Sequence, residues 1–402
     1  MQTATREPYL DWLRIIAILG VLFFHSAMPF VSEWKWHIKN EQTSNLLMEC
    51  NFFLSRFRMP LLFFISGAVT YFMLRKRSTV QFIGLRFKRL FLPLVFGMLL
   101  LVPIQVYLER LTQGFKGNFL DFYPTVFTSG PYPQGNLSWH HLWFIAYLFV
   151  YDVLFAPAFT WCIKNRHRLF FLHQFGRGAR IYLLMLPSVI YFTGTVLIFP
   201  ETHALIDDWC WNVYWLLFLV CGFCCMCIPS LLYSLERNRR TSLTFALIAI
   251  LIINYFRWND LDPATDAPDN MPATYAYLSL YPVVAWFWVF AAVGYGKRYL
   301  TKSVGSMPYI NGALYPFYIL HQTVIVLLAY YVVKTTDSIF LKYGFIVVVT
   351  FILTLLIYHL FIKPFTLMKL LFGVKQQREQ LFKKKEIIGR SPEIAGTFES
   401  FK

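Results

Sequence analysis

The sequence predicts an all-α polytopic membrane protein of about ten transmembrane helices, with both termini cytoplasmic. Three observations carry that expectation. Hydrophobic residues fill 57% and aromatic residues 19% of the 402 positions, whereas charged residues fill only 14%; soluble domains carry about 25%. Apolar stretches of about 20 residues, long enough to cross a bilayer core, recur along the whole chain. The Lys and Arg residues, 37 against 21 Asp and Glu, fall in alternate connections between those stretches, as the positive-inside rule requires. In a soluble chain that excess would suggest nucleic acid; here it reads as topology, and no nucleic-acid partner is expected.

Taken in order, the expected spans lie near 10–30, 46–74, 90–108, 139–163, 181–199, 212–235, 241–257, 273–296, 309–333 and 342–370. With the N-terminus inside, Arg75, Lys76, Arg77, Arg86, Lys88 and Arg89 all fall inside. So do the basic connections 164–180, 237–240 and 297–302 and the tail from Lys375. The opposite connections are locally acidic, at Asp207 and Asp208 and at Asp260, Asp262, Asp266 and Asp269. The opening MQTATREP lacks the basic region and small-residue cleavage site of a signal peptide, so the first apolar segment is expected in the mature protein. No repeat or linker divides the chain. Residues 1–374 read as one transmembrane domain and 375–402 as a basic cytoplasmic tail. The longest outer connection, 112–138, with its Gly130–Pro131–Tyr132–Pro133 cluster, reads as a folded surface loop.

Polar residues within the apolar stretches mark the candidate site, because ionisable groups are expensive in lipid. The first span, YLDWLRIIAILGVLFFHSAMPF, carries Asp11, Arg14 and His25. Eleven residues make about three turns, so Arg14 and His25 share a face and stand roughly 16 Å apart along the axis. Asp11, one turn before Arg14, either orients that guanidinium or caps the helix. GLRFKRLFLP sets Arg86 and Arg89 at i,i+3 beside Lys88, either as a topology anchor or as a phosphate clamp. In SRFRMPLLFFISG, Arg58 precedes and Ser66 follows Pro60, suggesting a kinked helix beside a polar cavity. LSWHHLWFI brings His141 near Trp143, and LYPFYILHQTVI puts His321 and Gln322 at mid-membrane depth. The CGFCCMC run at 221–227 reads as small-residue helix contact, and no metal is expected.

Together these motifs resemble the membrane-bound acyltransferase-3 family. The resemblance rests on the Arg14-x10-His25 spacing, MPLLFFISG at 59–67, RFKRLFLP at 86–93, HLWF at 141–144 and YPFYILHQ at 315–322, in family order over most of the chain. SEWKWHIKN followed by SRFRMPLLFFISG is similar to the branch that succinylates osmoregulated periplasmic glucans. The resemblance implies an O-acyltransferase of the bacterial cytoplasmic (inner) membrane, with acyl-CoA, a glycan acceptor and membrane lipid as partners. Acetyl-CoA or succinyl-CoA would donate from the cytoplasm to a carbohydrate hydroxyl outside. His25 would act as general base, with Arg14 and Asp11 in the catalytic set; a transient acyl-enzyme on His25 is the alternative. Arg86, Arg89 and Lys88 would hold the donor phosphates, and His141, His321, Trp143, Arg58 and Ser66 would contact the acceptor. A transporter or flippase for a sugar or lipid-linked glycan is the reading from another class, since many helices with intramembrane charge fit it too.

Overall fold

The computed structural model of the chain describes residues 7–263 and 270–375. Apart from Lys375, the expected tail lies outside the described residues, as do Asp266 and Asp269 of the acidic connection. Among the described residues the fold is all-helical, with no strand and one isolated bridge between Pro131 and Leu137. Nine helices there are long and apolar enough to cross a membrane. They are α1 (Pro8–Phe30), α2 (Asn45–Leu74), α3 (Thr79–Thr112), α4 (His140–Lys164) and α5 (Trp209–Cys227), then α6 (Arg239–Trp258), α7 (Met271–Tyr299), α8 (Met307–Val332) and α9 (Ile339–Ile362). The chain is the multi-pass membrane protein that its composition predicts.

Prolines account for the departures from simple spans. The stretch expected over 181–199 folds as a 3-10 segment, Gly178–Met185, leading into a helix of 10 residues, Leu186–Thr195. Pro187 in the first α-helical turn has no N–H with which to carry an α-helical ladder back into the 3-10 segment. The stretch expected over 212–235 breaks at Ile228, where φ is −127° and ψ is 91°. Pro229 excludes the helical conformation for the residue before it, and a separate short helix, Pro229–Arg237, follows. Within α3, π-helical turns at Phe87–Phe91 and Gly97–Leu101 each run up to a proline, Pro93 and Pro103, that cannot donate to the preceding turn.

Because the helices alternate in direction, the connections sort to two ends. The basic end gathers 75–78, 165–185, 300–306 and 363–375, and there the Trp12 indole donates to the Lys302 carbonyl at 3.0 Å. The loop-rich end gathers 31–44, 113–139 and 196–208, and there the Trp139 indole donates to the His203 carbonyl at 2.9 Å. Half-buried cations pin the long connections. Lys39 donates to the Met28 and Trp34 carbonyls, each at 3.1 Å, and to that of Val31. Arg257 pairs with Glu33 at 3.1 Å and Glu49 at 3.0 Å while lying 3.7 Å from the Phe52 ring centroid. Arg110 donates to the Pro133 and Gly135 carbonyls at 2.8 and 2.9 Å, so the loop over 112–138 is folded, with short helices at Phe119–Phe122 and Thr125–Thr128.

Helices α2 and α5 touch backbone to backbone. A Cβ at Gly67 would overlap the Leu219 carbonyl, and one at Gly222 would overlap the Phe64 carbonyl, so each glycine makes room for the other helix. Close approach through small residues replaces the hydrophobic drive that lipid does not supply. Gly67→Ala is therefore expected to force the helices apart at a cost of roughly 1–3 kcal/mol, read as a lower melting temperature in detergent. Gly84→Ala, where an added Cβ meets nothing within 4 Å, is the control and should not lower it.

Candidate active site

Two chambers open into the bundle. The loop-rich chamber, about 910 Å³, is bounded at depth by His25, Arg58, His141 and Gln322, with Trp34, Trp36 and Trp139 nearer its mouth. The basic chamber, about 840 Å³, is lined by Arg14, Ser66, Arg86 and Arg89 and by Lys363 and Lys369 from the C-terminal segment. Pro60 stands between them in sequence: Arg58 and Met59 face one chamber, Leu62 and Ser66 the other.

The chambers meet at a layer of histidines. His25 Nδ1 lies 3.0 Å from His321 Nε2, with the rings stacked at 5.1 Å and 15°. His321 Nδ1 lies 2.6 Å from the Tyr318 carbonyl oxygen. A carbonyl only accepts, so Nδ1 of neutral His321 carries the proton and Nε2 is its acceptor. The proton between the rings then belongs to His25 Nδ1, and His25 Nε2 is left with a free lone pair; these tautomers are assigned from the partners. By the same reasoning the His141 Nε2–H donates to the Ile319 carbonyl at 3.0 Å, leaving His141 Nδ1 bare and, among the described residues, without a partner. The Tyr318 hydroxyl donates to the His141 carbonyl while its side chain lines the basic chamber. One layer of side chains thus separates the two cavities.

Charge in the loop-rich chamber is uneven. The Arg58 guanidinium lies 3.3 Å from the Phe24 ring centroid, and its Nε and Nη1 have no hydrogen-bond partner among the described residues. On the facing connection Glu201 pairs with His203 at 3.1 Å, and Trp143 lies 4.4 Å from the His203 ring. Burial works against ionising His203, but the Glu201 carboxylate outweighs it and raises the imidazole above its ordinary value. Burial likewise pushes Glu201 up, and the His203 charge and hydrogen bond outweigh it and hold the carboxyl low.

In the basic chamber Arg86 is already neutralised. Its Nε is 2.7 Å from Asp152 Oδ2, its Nη2 donates to Thr70 Oγ1 at 2.9 Å, and Thr70 donates to Asp152 Oδ1 at 2.8 Å. Arg14 donates to Asn311 Oδ1, with Asp11 3.9 Å away. Arg89 sits in the π-helical turn that follows Arg86, and Lys88 is exposed outside the lining. Arg14, Arg89, Lys363, Lys369 and Lys375 also line the chamber, and a lining so rich in cations suits a ligand with several negative charges.

Two apposed chambers with an imidazole lone pair between them fit group transfer from one side to the other, and comparison with known proteins decides the family. The acyltransferase-domain profile of acyltransferase-3 matches residues 7–359. The chain belongs to the acyltransferase-3 family. Curated relatives named glucans biosynthesis protein C are similar to it throughout: that of Salmonella paratyphi B (strain ATCC BAA-1250 / SPB7) is 23% identical over 395 residues, covering 94% of this chain and 97% of the relative. That of Salmonella schwarzengrund (strain CVM19633) is 24% identical over 396 residues with the same coverage. No solved structure matches the chain. This acyltransferase-3 member is a membrane acyltransferase, and the transporter alternative gives way.

Of the residues singled out in the sequence, the acyltransferase fold gathers His25, His141, Trp143 and Arg58 around one chamber, with His321 behind His25 at 3.0 Å, and Arg14, Arg86, Arg89 and Ser66 around the other. Ser66 thus lies with the arginines rather than with His141. Sequence reasoning missed Asp152, Asn311, Lys363 and Lys369, and also Glu201 and His203. Asp152 was the most findable, as the only carboxylate inside the apolar run of α4.

Two outcomes follow for this acyltransferase. Removing one partner of a buried pair costs about 3–5 kcal/mol, and Asp152 and Arg86 are 0% and 8% exposed. Asp152→Asn should therefore lower the melting temperature sharply, and adding Arg86→Gln should recover part of the loss. For the Glu201–His203 pair the sign is set by two shifts. The raised histidine contributes below its unfolded pKa and stops contributing as pH rises through the folded value. The lowered carboxyl contributes above its unfolded pKa and stops as pH falls through its folded value. Tryptophan fluorescence, quenched at Trp143 by the imidazolium, should titrate with a midpoint above about 6.5; Glu201→Gln should lower that midpoint, and an unmoved midpoint would exclude the pairing.

Proposed function

We propose that this protein moves an acyl group of acetyl or succinyl type from a cytoplasmic acyl-CoA to a hydroxyl of an extracytoplasmic carbohydrate, in the bacterial inner membrane. The observation that carries the reading is the His25–His321 hydrogen bond at 3.0 Å, with His321 Nδ1 committed to the Tyr318 carbonyl. It leaves the His25 Nε2 lone pair as a general base between two chambers of different chemistry. The concentration of Lys and Arg at the basic end supports a cytoplasmic orientation for that end. Arg14, Arg89, Lys363 and Lys369 would meet the donor's phosphates, with Arg86 held by Asp152 as part of the wall. The tryptophans at the mouth of the opposite chamber suit the faces of sugar rings, and the names of the glucan-biosynthesis relatives support a glycan acceptor.

In the proposed reaction an acceptor hydroxyl gives its proton to His25 Nε2 as its oxygen attacks the thioester carbonyl. The C–O bond forms, the C–S bond breaks, and the proton held by His25 passes to the departing thiolate. His321 stabilises the imidazolium by accepting from Nδ1, the orienting role that a carboxylate plays in hydrolase triads. For a succinyl donor, the far carboxylate would meet Arg58, whose guanidinium has two unpartnered nitrogens beside Phe24.

The test is single-turnover transfer by the purified protein with labelled acyl-CoA and a glucan acceptor. His25→Ala should lower the rate by about 10²–10⁴-fold while donor binding is retained. His321→Ala should lower kcat by about 10²-fold with the donor KM unchanged. Transfer at the wild-type rate in His25→Ala would reject the base.

A further inference from the structure

Three segments far apart in sequence meet at the mouth of the loop-rich chamber. His37 comes from the 31–44 connection, Glu109 from the last turn of α3 and His140 from the start of α4. One nitrogen or oxygen from each lies within 4.8 Å of the others. His37 Nδ1 contacts Glu109 Oε2 directly, and the His37 and His140 rings stand 4.5 Å apart. His140 Nε2 is buried and has no hydrogen-bond partner among the described residues. The backbone there is held at φ 40°, a left-handed conformation that a residue with a Cβ adopts at a cost and that recurs at functional sites.

We propose that His37, Glu109 and His140 bind one divalent cation of the zinc class. Two imidazoles and one carboxylate form the protein half of an open four-coordinate zinc site, whereas magnesium and calcium favour oxygen alone. Ligand atoms around tetrahedral zinc stand roughly 3.3 Å apart, given bonds of about 2.0–2.2 Å, so side-chain rotations of an ångström or so close the set. Each ligand also has an outer partner of the kind that fixes metal-bound side chains. Ser138 Oγ is 2.7 Å from His140 Nδ1 and the Tyr132 hydroxyl donates to Glu109 Oε1 at 3.0 Å; the Gln322 amide, 3.3 Å from His37 Nε2 with its NH2 toward the ring, would turn over so that its oxygen accepts from the Nε2–H of the metal-bound imidazole. Without the cation, a proton joins His37 Nδ1 to Glu109 Oε2. The cation takes that place on Nδ1, and the one proton of the neutral imidazole moves to Nε2. His37 and His140 both line the chamber, so the fourth position is open to water or to an acceptor hydroxyl. The sequence predicts no metal because His37 and Glu109 lie 72 positions apart, with no spacing motif to join them.

The untagged full chain, stripped with chelator in detergent, is titrated with zinc chloride and separately with cobalt(II) and magnesium chloride. The expected result is one zinc per chain, a four-coordinate cobalt spectrum, a higher melting temperature with zinc and no binding of magnesium. His140→Ala and Glu109→Gln should each weaken zinc binding by more than about 100-fold, and Ser138→Ala by about 10-fold. Absence of stoichiometric zinc in the wild-type chain, a six-coordinate cobalt spectrum, or zinc binding unchanged in both ligand variants would each overturn the site. The wild-type titration and cobalt spectrum decide the matter even where a variant fails to fold, and none of the readouts depends on acyl transfer.

Discussion

A polar side chain enclosed by apolar helices must find a partner, because an unmet donor or acceptor costs about 1–3 kcal/mol and an unmet charge more. Most of the interior obeys that constraint through local closure. Arg86, Thr70 and Asp152 form a closed triangle, and Gln322 donates to Gln105, which donates in turn to Thr323. Lys39 meets the constraint with three carbonyls. The exceptions with most chemical capacity, at Arg58, His140 and His141, belong to residues that line the loop-rich chamber. Where the fold leaves lone pairs and N–H groups unmet is also where a ligand has something to gain.

Proline placement gives the bundle its chambers. Pro60 in α2 and Pro316 in α8 each remove one rung of an α-helical ladder, and each lies within six residues of a side chain in the histidine layer or its arginine neighbour. The π-helical turn before Pro93 carries Arg89, and the same helix pairs Arg86 with Asp152 while both arginines line the cavity. Charge counting along the sequence cannot show that the first of these two arginines is paired with a buried carboxylate.

The helices were legible because length and apolarity determine spans directly, and the Arg14-x10-His25 face follows from helical pitch alone. Legibility failed wherever a residue's meaning depends on a partner from another helix. Arg86 carries no local sign of its partner Asp152, 66 positions onward and 2.7 Å away. Nothing local says that Ser66 shares a cavity with the arginines of α1 and α3 while Arg58, eight positions before it, lines the other. His321 reads as one polar residue at mid-depth, yet its proton on the Tyr318 carbonyl fixes the tautomer of a histidine 296 positions away. Local pattern carries elements, and only tertiary geometry carries protonation states.

On the proposed reading, the thin layer between the chambers has a consequence for selectivity. Tyr318 and Phe144 face the basic chamber, while His25 and His141 face the other, so a donor's reactive carbonyl has only one side chain's thickness to cross before it meets the base. The roughly 16 Å between Arg14 and His25 then acts as a ruler for the distance between a donor's anionic end and its reactive end. A shorter donor anchored at the arginines would stop below the layer, and a longer one would carry its carbonyl past His25 Nε2. Water on the acceptor side is kept from competing only while an acceptor fills the chamber in which Arg58 and His25 lie. Discrimination between transfer and hydrolysis would therefore rest on the aromatic mouth as much as on the histidine pair.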